Sequence, residues 1–159
     1  MHLGSNKGDR KLQIARAFQM IEESIGPICG SSSYYETKAW GKVDQNDFIN
    51  VALEVEHYMT PNQLLKTVNK IEEQLGRVRI EKWGSRVIDI DIIFVEDIII
   101  DTEKLTIPHK WMEKRNFVLY PMAELAENFV HPVLNKTIAE LLEECEDTTK
   151  ITRLKSEFE

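Results

Sequence analysis

A chain of 159 residues, 42% hydrophobic and 30% charged, has enough material for one buried core and is short for two domains. Its formal net charge of −7 works against any general attraction to nucleic acid or anionic lipid, so a polyanion has to be captured by a local field. No apolar run reaches membrane-spanning length, and Met1–Arg10 lacks the apolar stretch of a signal peptide; both point to a cytoplasmic chain with no membrane partner.

Lys11–Ile25 carries Leu12, Ala15, Phe18, Ile21 and Ile25 at near-helical spacing, and Gly26-Pro27 stops it. Cys29 and Cys145 match no metal-ligand spacing. They read as two thiols in a reducing compartment, with one disulfide left open. Ser32–Tyr35 and Phe48–Glu56 read as strands, the second half-buried because Ile49, Val51, Leu53 and Val55 alternate with Asn50, Ala52, Glu54 and Glu56. Between them Thr37–Asp47 is a polar loop with Trp40 and Gly41.

Thr60-Pro61 opens a second helix as N-cap and first turn. Leu64, Leu65, Val68, Ile71 and Leu75 form its apolar stripe, and Gly76 closes it. Val87–Val95 reads as a strand, turning at Glu96-Asp97 into Ile98–Ile100 to make a hairpin. Helices follow over Val118–Ala126, interrupted by Pro121, and over Thr137–Glu144. The tail Asp147–Glu159 shows no core pattern. The order strand, helix, strand, strand, helix, strand predicts an α+β, ferredoxin-like fold: one domain over 1–159, with an antiparallel-rich sheet and helices on one face.

The chemistry concentrates in Gly76–Asp91, GRVRIEKWGSRVIDID. Arg77, Arg79, Lys82 and Arg86 directly precede Asp89-Ile90-Asp91. In a strand, residues i and i+2 share a face, so Asp89 and Asp91 project together while Ile88, Ile90 and Ile92 point the other way. Adjacent carboxylates repel unless a proton or cation lies between them. Mg²⁺ suits them, because it binds through one or two carboxylates plus substrate phosphates. The arginines can fork onto those phosphates. Trp83, beside Gly84 in a charged loop, reads as a lid residue, whereas Trp111 has the usual profile of a core residue.

Phe48 and Asn50 share a strand face and could stack on and hydrogen-bond to a flat heterocycle. The competing account has Phe48 packing on a helix and Asn50 capping a turn. His109, Arg115 and Phe117 offer two further phosphate partners and a second aromatic plane. There is no Walker P-loop, dinucleotide fingerprint, nucleophile elbow or zinc signature.

Taken together, these residues resemble 6-hydroxymethyl-7,8-dihydropterin pyrophosphokinase of folate biosynthesis. The resemblance rests on Leu3-Gly4-Ser5-Asn6 with Gly8-Asp9-Arg10, Ser33–Thr37, Phe48–Ala52, Leu75–Arg79, Trp83–Asp91, Ile107-Pro108-His109, Met112 and Arg115–Met122, spanning about residues 3–130. It implies transfer of the β,γ-diphosphate of ATP to the hydroxymethyl oxygen of the reduced pterin, with release of AMP, by a monomer or weak dimer that uses no nucleic acid. Asp89 and Asp91 correspond to ligands of two Mg²⁺ ions. Arg77, Arg86 and His109 join them as catalytic groups. Glu72, Arg79, Trp83, Ile92, His109 and Arg115 correspond to ATP contacts, with Arg79 and Trp83 in a loop that closes. Thr37, Phe48, Asn50 and Phe117 correspond to the pterin pocket. No general base stands out: Asp89 and metal polarisation of the hydroxymethyl oxygen fit equally.

Three departures accompany the resemblance: only Met1-His2-Leu3 precede Gly4, Lys38 follows Thr37, and Lys110 follows His109. The first predicts a very short first strand and a loss of stability. Two other readings compete with the diphosphokinase. One is a non-catalytic ferredoxin-like binding module, which would not need paired carboxylates. The other is a metal-dependent nuclease or nucleotidyl transferase, which the acidic balance disfavours.

Overall fold

The structure is a computed structural model and describes residues 1–39, 45–76 and 87–155. Its strands are β1 (His2–Ser5), β2 (Ile28–Ser31), β3 (Tyr35–Thr37), β4 (Phe48–Val55), β5 (Asp89–Asp91), β6 (Ile100–Asp101), β7 (Thr106–Ile107) and β8 (Ile151–Arg153). The helices are α1 (Arg10–Ser24), α2 (Pro61–Gln74), α3 (Asn116–Ala126) and α4 (Ile138–Glu144), with one 3-10 turn at Met112–Lys114. The main sheet runs β5-β1-β4-β3-β8, with β2 also on β4, and its pairings are antiparallel. Taking β1, α1, β3, β4, α2 and β5 in turn gives the split β-α-β arrangement of a ferredoxin-like fold.

Capping fixes the helix starts. Asp9 accepts from Leu12 N–H at the start of α1. Thr60 and Gln63 form a reciprocal capping box at α2, with Pro61 in the first turn; Thr137 and Glu140 do the same at α4. Gly76 takes φ +90 just past α2, where a left-handed residue ends a helix without a Cβ penalty.

Two apolar clusters sandwich the sheet. On one face Leu3, Ile49, Val51, Ile88, Ile90 and Ile92 pack with Ile14, Ala17 and Ile21 of α1 and Leu64, Val68 and Ile71 of α2. On the other, Ala52 and Ile93 pack with Met112, Val118, Leu119 and Met122 of the α3 region and with Ile138 and Leu141 of α4. Helices therefore cover both faces. The one-face expectation describes α1 and α2, and α3 with α4 forms an added layer. For the same reason β4 is buried continuously from Ile49 to Leu53, not half-buried.

The short first strand does not lie at a margin. His2–Ser5 is buried throughout and sits between β4 and β5. Leu3 is fully enclosed, so the four residues close the middle of the core.

Four sequence expectations are corrected. The strand expected over Val87–Val95 narrows to Asp89–Asp91, because β1 supplies partners only as far as His2 opposite Asp91. Ile98–Ile100 does not fold back on it. Ile100 and Asp101 instead pair with Ile107 and Thr106, around a turn that Thr102 and Leu105 hold together. The strand expected at Ser32–Tyr35 is split into β2 and β3 on either side. The tail contributes β8, whose β-branched Ile151 and Thr152 pair with the outer edge of β3.

Candidate active site

Cross-strand partners in an antiparallel sheet point to the same face, so the register lays out the site. Asp89, Gly4, Asn50 and Tyr35 form one row across β5, β1, β4 and β3. Asp91, His2 and Ala52 form the row beside it, and Phe48 with Thr37 a third. Ile90, Leu3 and Val51 point to the opposite face, into the α1/α2 core. The two carboxylates and the amide-aromatic pair, read separately from the sequence, thus stand on one sheet face. Gly4 lies between them.

The Gly4 position is a gap in the side-chain lining. A Cβ there would lie 3.5 Å from Asn50 Oδ1, 3.6 Å from Phe48 Cδ1 and 3.9 Å from His2 Cε1. Asn50, 2% exposed, spends its Nδ2 on Tyr35 O at 3.2 Å and Thr37 Oγ1 at 2.9 Å. Its carbonyl oxygen therefore faces the gap as an acceptor, while Thr37 is buried beside it. Nearby polar bonds anchor both flanks. Ser5 Oγ donates to Val87 O at 2.6 Å, fixing the entry to β5. Asn6 Nδ2 and Arg10 Nη1 donate to Asn46 O and Asp47 O at 3.2 and 2.7 Å, fixing the entry to Phe48.

On the carboxylate side, His109 Nε2 stands 3.7 Å from Asp91 Oδ1, with both side chains open to solvent. The backbone N–H of His109 donates to Ile93 O at 2.9 Å, which holds the residue beside β5. Arg115 and Phe117 sit at the start of α3, with the guanidinium carbon 6.0 Å from the Phe117 ring centre. His2, not foreseen as a site residue, joins this group. Its Nε2 donates to Phe117 O at 3.2 Å and its ring centre is 5.8 Å from that of Phe117. Burial pushes the His2 pKa down to about 4, partly opposed by the Asp91 charge, so the imidazole is neutral at ordinary pH. The signal that could have found it is register: once β1 is recognised as the neighbour of Asp89-Ile90-Asp91, His2 has to face Asp91.

Glu72 is buried in α2, and Ile92 buries its side chain in the α1/α2 core beside β5. Trp111 is not a core residue. It is 47% exposed, takes a left-handed φ of 68, and has Lys110 and Lys114 ammonium groups 5.2 and 4.5 Å from its ring centre. Arg77, Arg79, Trp83 and Arg86 lie outside the described residues. Cys29 and Cys145 are free thiols. Among the described residues no helix is long and apolar enough to cross a membrane, and no cluster of three or more His, Cys, Asp or Glu forms a metal cage. Two half-buried carboxylates on one sheet face instead fit a hard cation that takes its remaining ligands from water and phosphate.

The family model for 7,8-dihydro-6-hydroxymethylpterin-pyrophosphokinase (HPPK) matches residues 1–127. A 2-amino-4-hydroxy-6-hydroxymethyldihydropteridine pyrophosphokinase of Aquifex aeolicus is 41% identical over 138 residues, covering 87% of this chain and 86% of the relative. The protein of the same name from Haemophilus influenzae is 37% identical over 146 residues, 91% of each chain. Among solved structures, wild-type Plasmodium falciparum HPPK-DHPS superposes with a TM-score of 0.72 at 20% identity, covering 90% of this chain and 42% of that one. That likeness shows a shared fold.

Proposed function

Since the chain belongs to the 7,8-dihydro-6-hydroxymethylpterin-pyrophosphokinase family, we propose that it transfers the β,γ-diphosphate of ATP to the hydroxymethyl oxygen of 6-hydroxymethyl-7,8-dihydropterin and releases AMP. The single observation that carries this reading is the common sheet face. Asp89 and Asp91 stand on one side of Gly4, and Asn50, Thr37 and Phe48 on the other. A diphosphate donor and a flat acceptor held on those two sides meet above a residue with no side chain.

Each group has a task. Phe48 and Phe117 bracket the pterin ring. Asn50 Oδ1 accepts from its amino or ring N–H groups while Thr37 fixes the amide's orientation. Tyr35 and Asn50 are buried, so this pocket is built before the ligand arrives. His109 and Arg115 donate to ATP phosphate oxygens, and Glu72 and Ile92 line the nucleotide side. Two Mg²⁺ ions held by Asp89 and Asp91 would supply charge neutralisation on the transferred phosphates. Arg77 and Arg86 add cations there, and the 76–84 segment with Arg79 and Trp83 serves as the lid that excludes water. The domain spans 1–159, acts in the cytoplasm as a monomer or weak dimer, and serves folate biosynthesis.

The test is to mix the protein with ATP, Mg²⁺ and the hydroxymethyl dihydropterin and identify the nucleotide product. AMP that depends on the pterin is expected. ADP would mean a simple kinase, and no nucleotide product would reduce the chain to a binding module.

A further inference from the structure

The segment 147–153 lies beyond residues 1–127 that the family model matches, yet it reaches two parts of the candidate site. At one end it grips the first turn of α3, the turn that carries Arg115 and Phe117. Asn116 N–H donates to Asp147 Oδ2 at 3.1 Å. The Asn116 amide donates to Asp147 O at 2.9 Å and Thr149 O at 2.8 Å. Asp147 Oδ1 in turn accepts from Thr149 N and Oγ1 at 3.0 and 2.7 Å. At the other end β8 pairs with β3, setting Ile151 opposite Thr37 and Arg153 opposite Tyr35. Leu154 N–H continues the ladder to Tyr34 O at 2.8 Å, and Arg153 Nε donates to Ser33 Oγ at 2.9 Å.

The residue at the N-cap of α3 is Arg115, whose side chain makes no capping bond. An orphan N–H of the first turn is therefore satisfied by a carboxylate thirty-one residues away in sequence. Its negative charge also complements the helix dipole. Asn116 is 4% exposed, so these bonds are shielded from competing water. One short segment thereby ties the strand of Thr37 to the helix start of Phe117, the two elements that flank the pterin in the reading above.

The geometry points to Asp147 as a positioning residue for the pterin pocket, acting through Asn116 on Phe117 and through β8 on Thr37. This inference rests on the proposed pterin site, while its readout does not depend on turnover. Asp147 touches no substrate. Its removal loosens two walls of the pocket at once, without altering Asp89, Asp91 or His109.

The experiment measures pterin affinity by fluorescence titration of the full-length chain, with thermal stability alongside. Asp147→Ala is expected to weaken the pterin about tenfold, and Thr149→Val, which removes one bond to Oδ1, about two- to threefold. Asp147→Asn keeps one acceptor oxygen but turns an NH₂ toward a donor, because both carboxylate oxygens accept bonds in the native chain, and is expected to fall between Asp147→Ala and wild type. Thr137→Ala, which removes the capping box of α4 and none of the bonds made by Asp147, controls for simple destabilisation. It is expected to lower the melting temperature and leave pterin affinity unchanged. Pterin affinity in Asp147→Ala within twofold of wild type would overturn the assignment. So would a loss no larger than that of Thr137→Ala at an equal drop in melting temperature. If Asp147→Ala does not fold, Thr149→Val decides, and unchanged affinity there counts against the clamp. A wild-type chain that binds pterin but makes no AMP would refute the transfer reaction and leave the clamp to be judged by the titration. One that binds no pterin overturns both.

Discussion

The two sides of Gly4 are built differently. On the acceptor side, Asn50, Thr37 and Tyr35 are buried in the interior strands β4 and β3, with the Asn50 amide hydrogens committed to protein partners. On the donor side, Asp89 and Asp91 sit on β5 at the end of the sheet, and Asp91 and His109 keep part of their side chains in water. The difference suits what each side is proposed to hold. A neutral planar ring gains from a pocket whose hydrogen-bond geometry is set in advance. A metal-bound triphosphate brings its own charge and needs carboxylate and imidazole groups that can still exchange water for phosphate oxygens.

Breaking the donor side should have the largest effect. Asp91→Ala is expected to lower turnover by about a thousandfold or more, the range for loss of charge stabilisation in phosphoryl transfer, measured as pterin-dependent AMP. Retention of near-normal turnover would remove the metal assignment. Filling the gap comes next. Gly4→Ala is sterically tolerated, since a Cβ meets only ordinary contacts of 3.5 Å and beyond, but it projects where the pterin is proposed to lie. Pterin affinity should fall about tenfold with little change in melting temperature. On the acceptor side, Asn50→Ala leaves the Thr37 hydroxyl and the Tyr35 carbonyl without their donor. It should cost about 1–3 kcal/mol in denaturant unfolding and weaken pterin more than ATP.

The smallest expected effect sharpens the contrast at the back of the acceptor side. Burial works to raise the Glu124 pKa, but hydrogen bonds from the Tyr35 hydroxyl and from Ser33 outweigh it and hold the carboxyl below its ordinary value. A lowered carboxyl pKa contributes stability above the unfolded value, and that contribution is lost as pH falls through the folded one. The melting-temperature gap between wild type and Glu124→Gln should therefore be constant near neutrality and narrow in acid. A gap that widens in acid would contradict this.

Much of this arrangement is legible in the residues. The capped helices announce themselves through Thr60-Pro61 and Thr137, and the carboxylate pair through its spacing of two in an apolar run. What the sequence conceals is mostly long-range pairing. The extent of β5 depends on where β1 runs out of partners, which no local pattern around Val87–Val95 records. Strand β8 is three residues long and half-exposed, so it carries no alternation to detect. It forms because β3 has an edge to satisfy. Burial of β4 on both faces likewise depends on α3, which begins only at Asn116. The site was readable as two chemical groups, and their common face became visible only through Gly4 and the register.

The proposed donor and acceptor sides share a face but bind their ligands independently. The most direct measurement is the equilibrium affinity of the Asp91→Ala chain for the pterin, titrated beside the wild type. Agreement within about twofold is expected, because among the described residues no hydrogen bond of the acceptor pocket passes through Asp91. A loss as large as that of Gly4→Ala would contradict it.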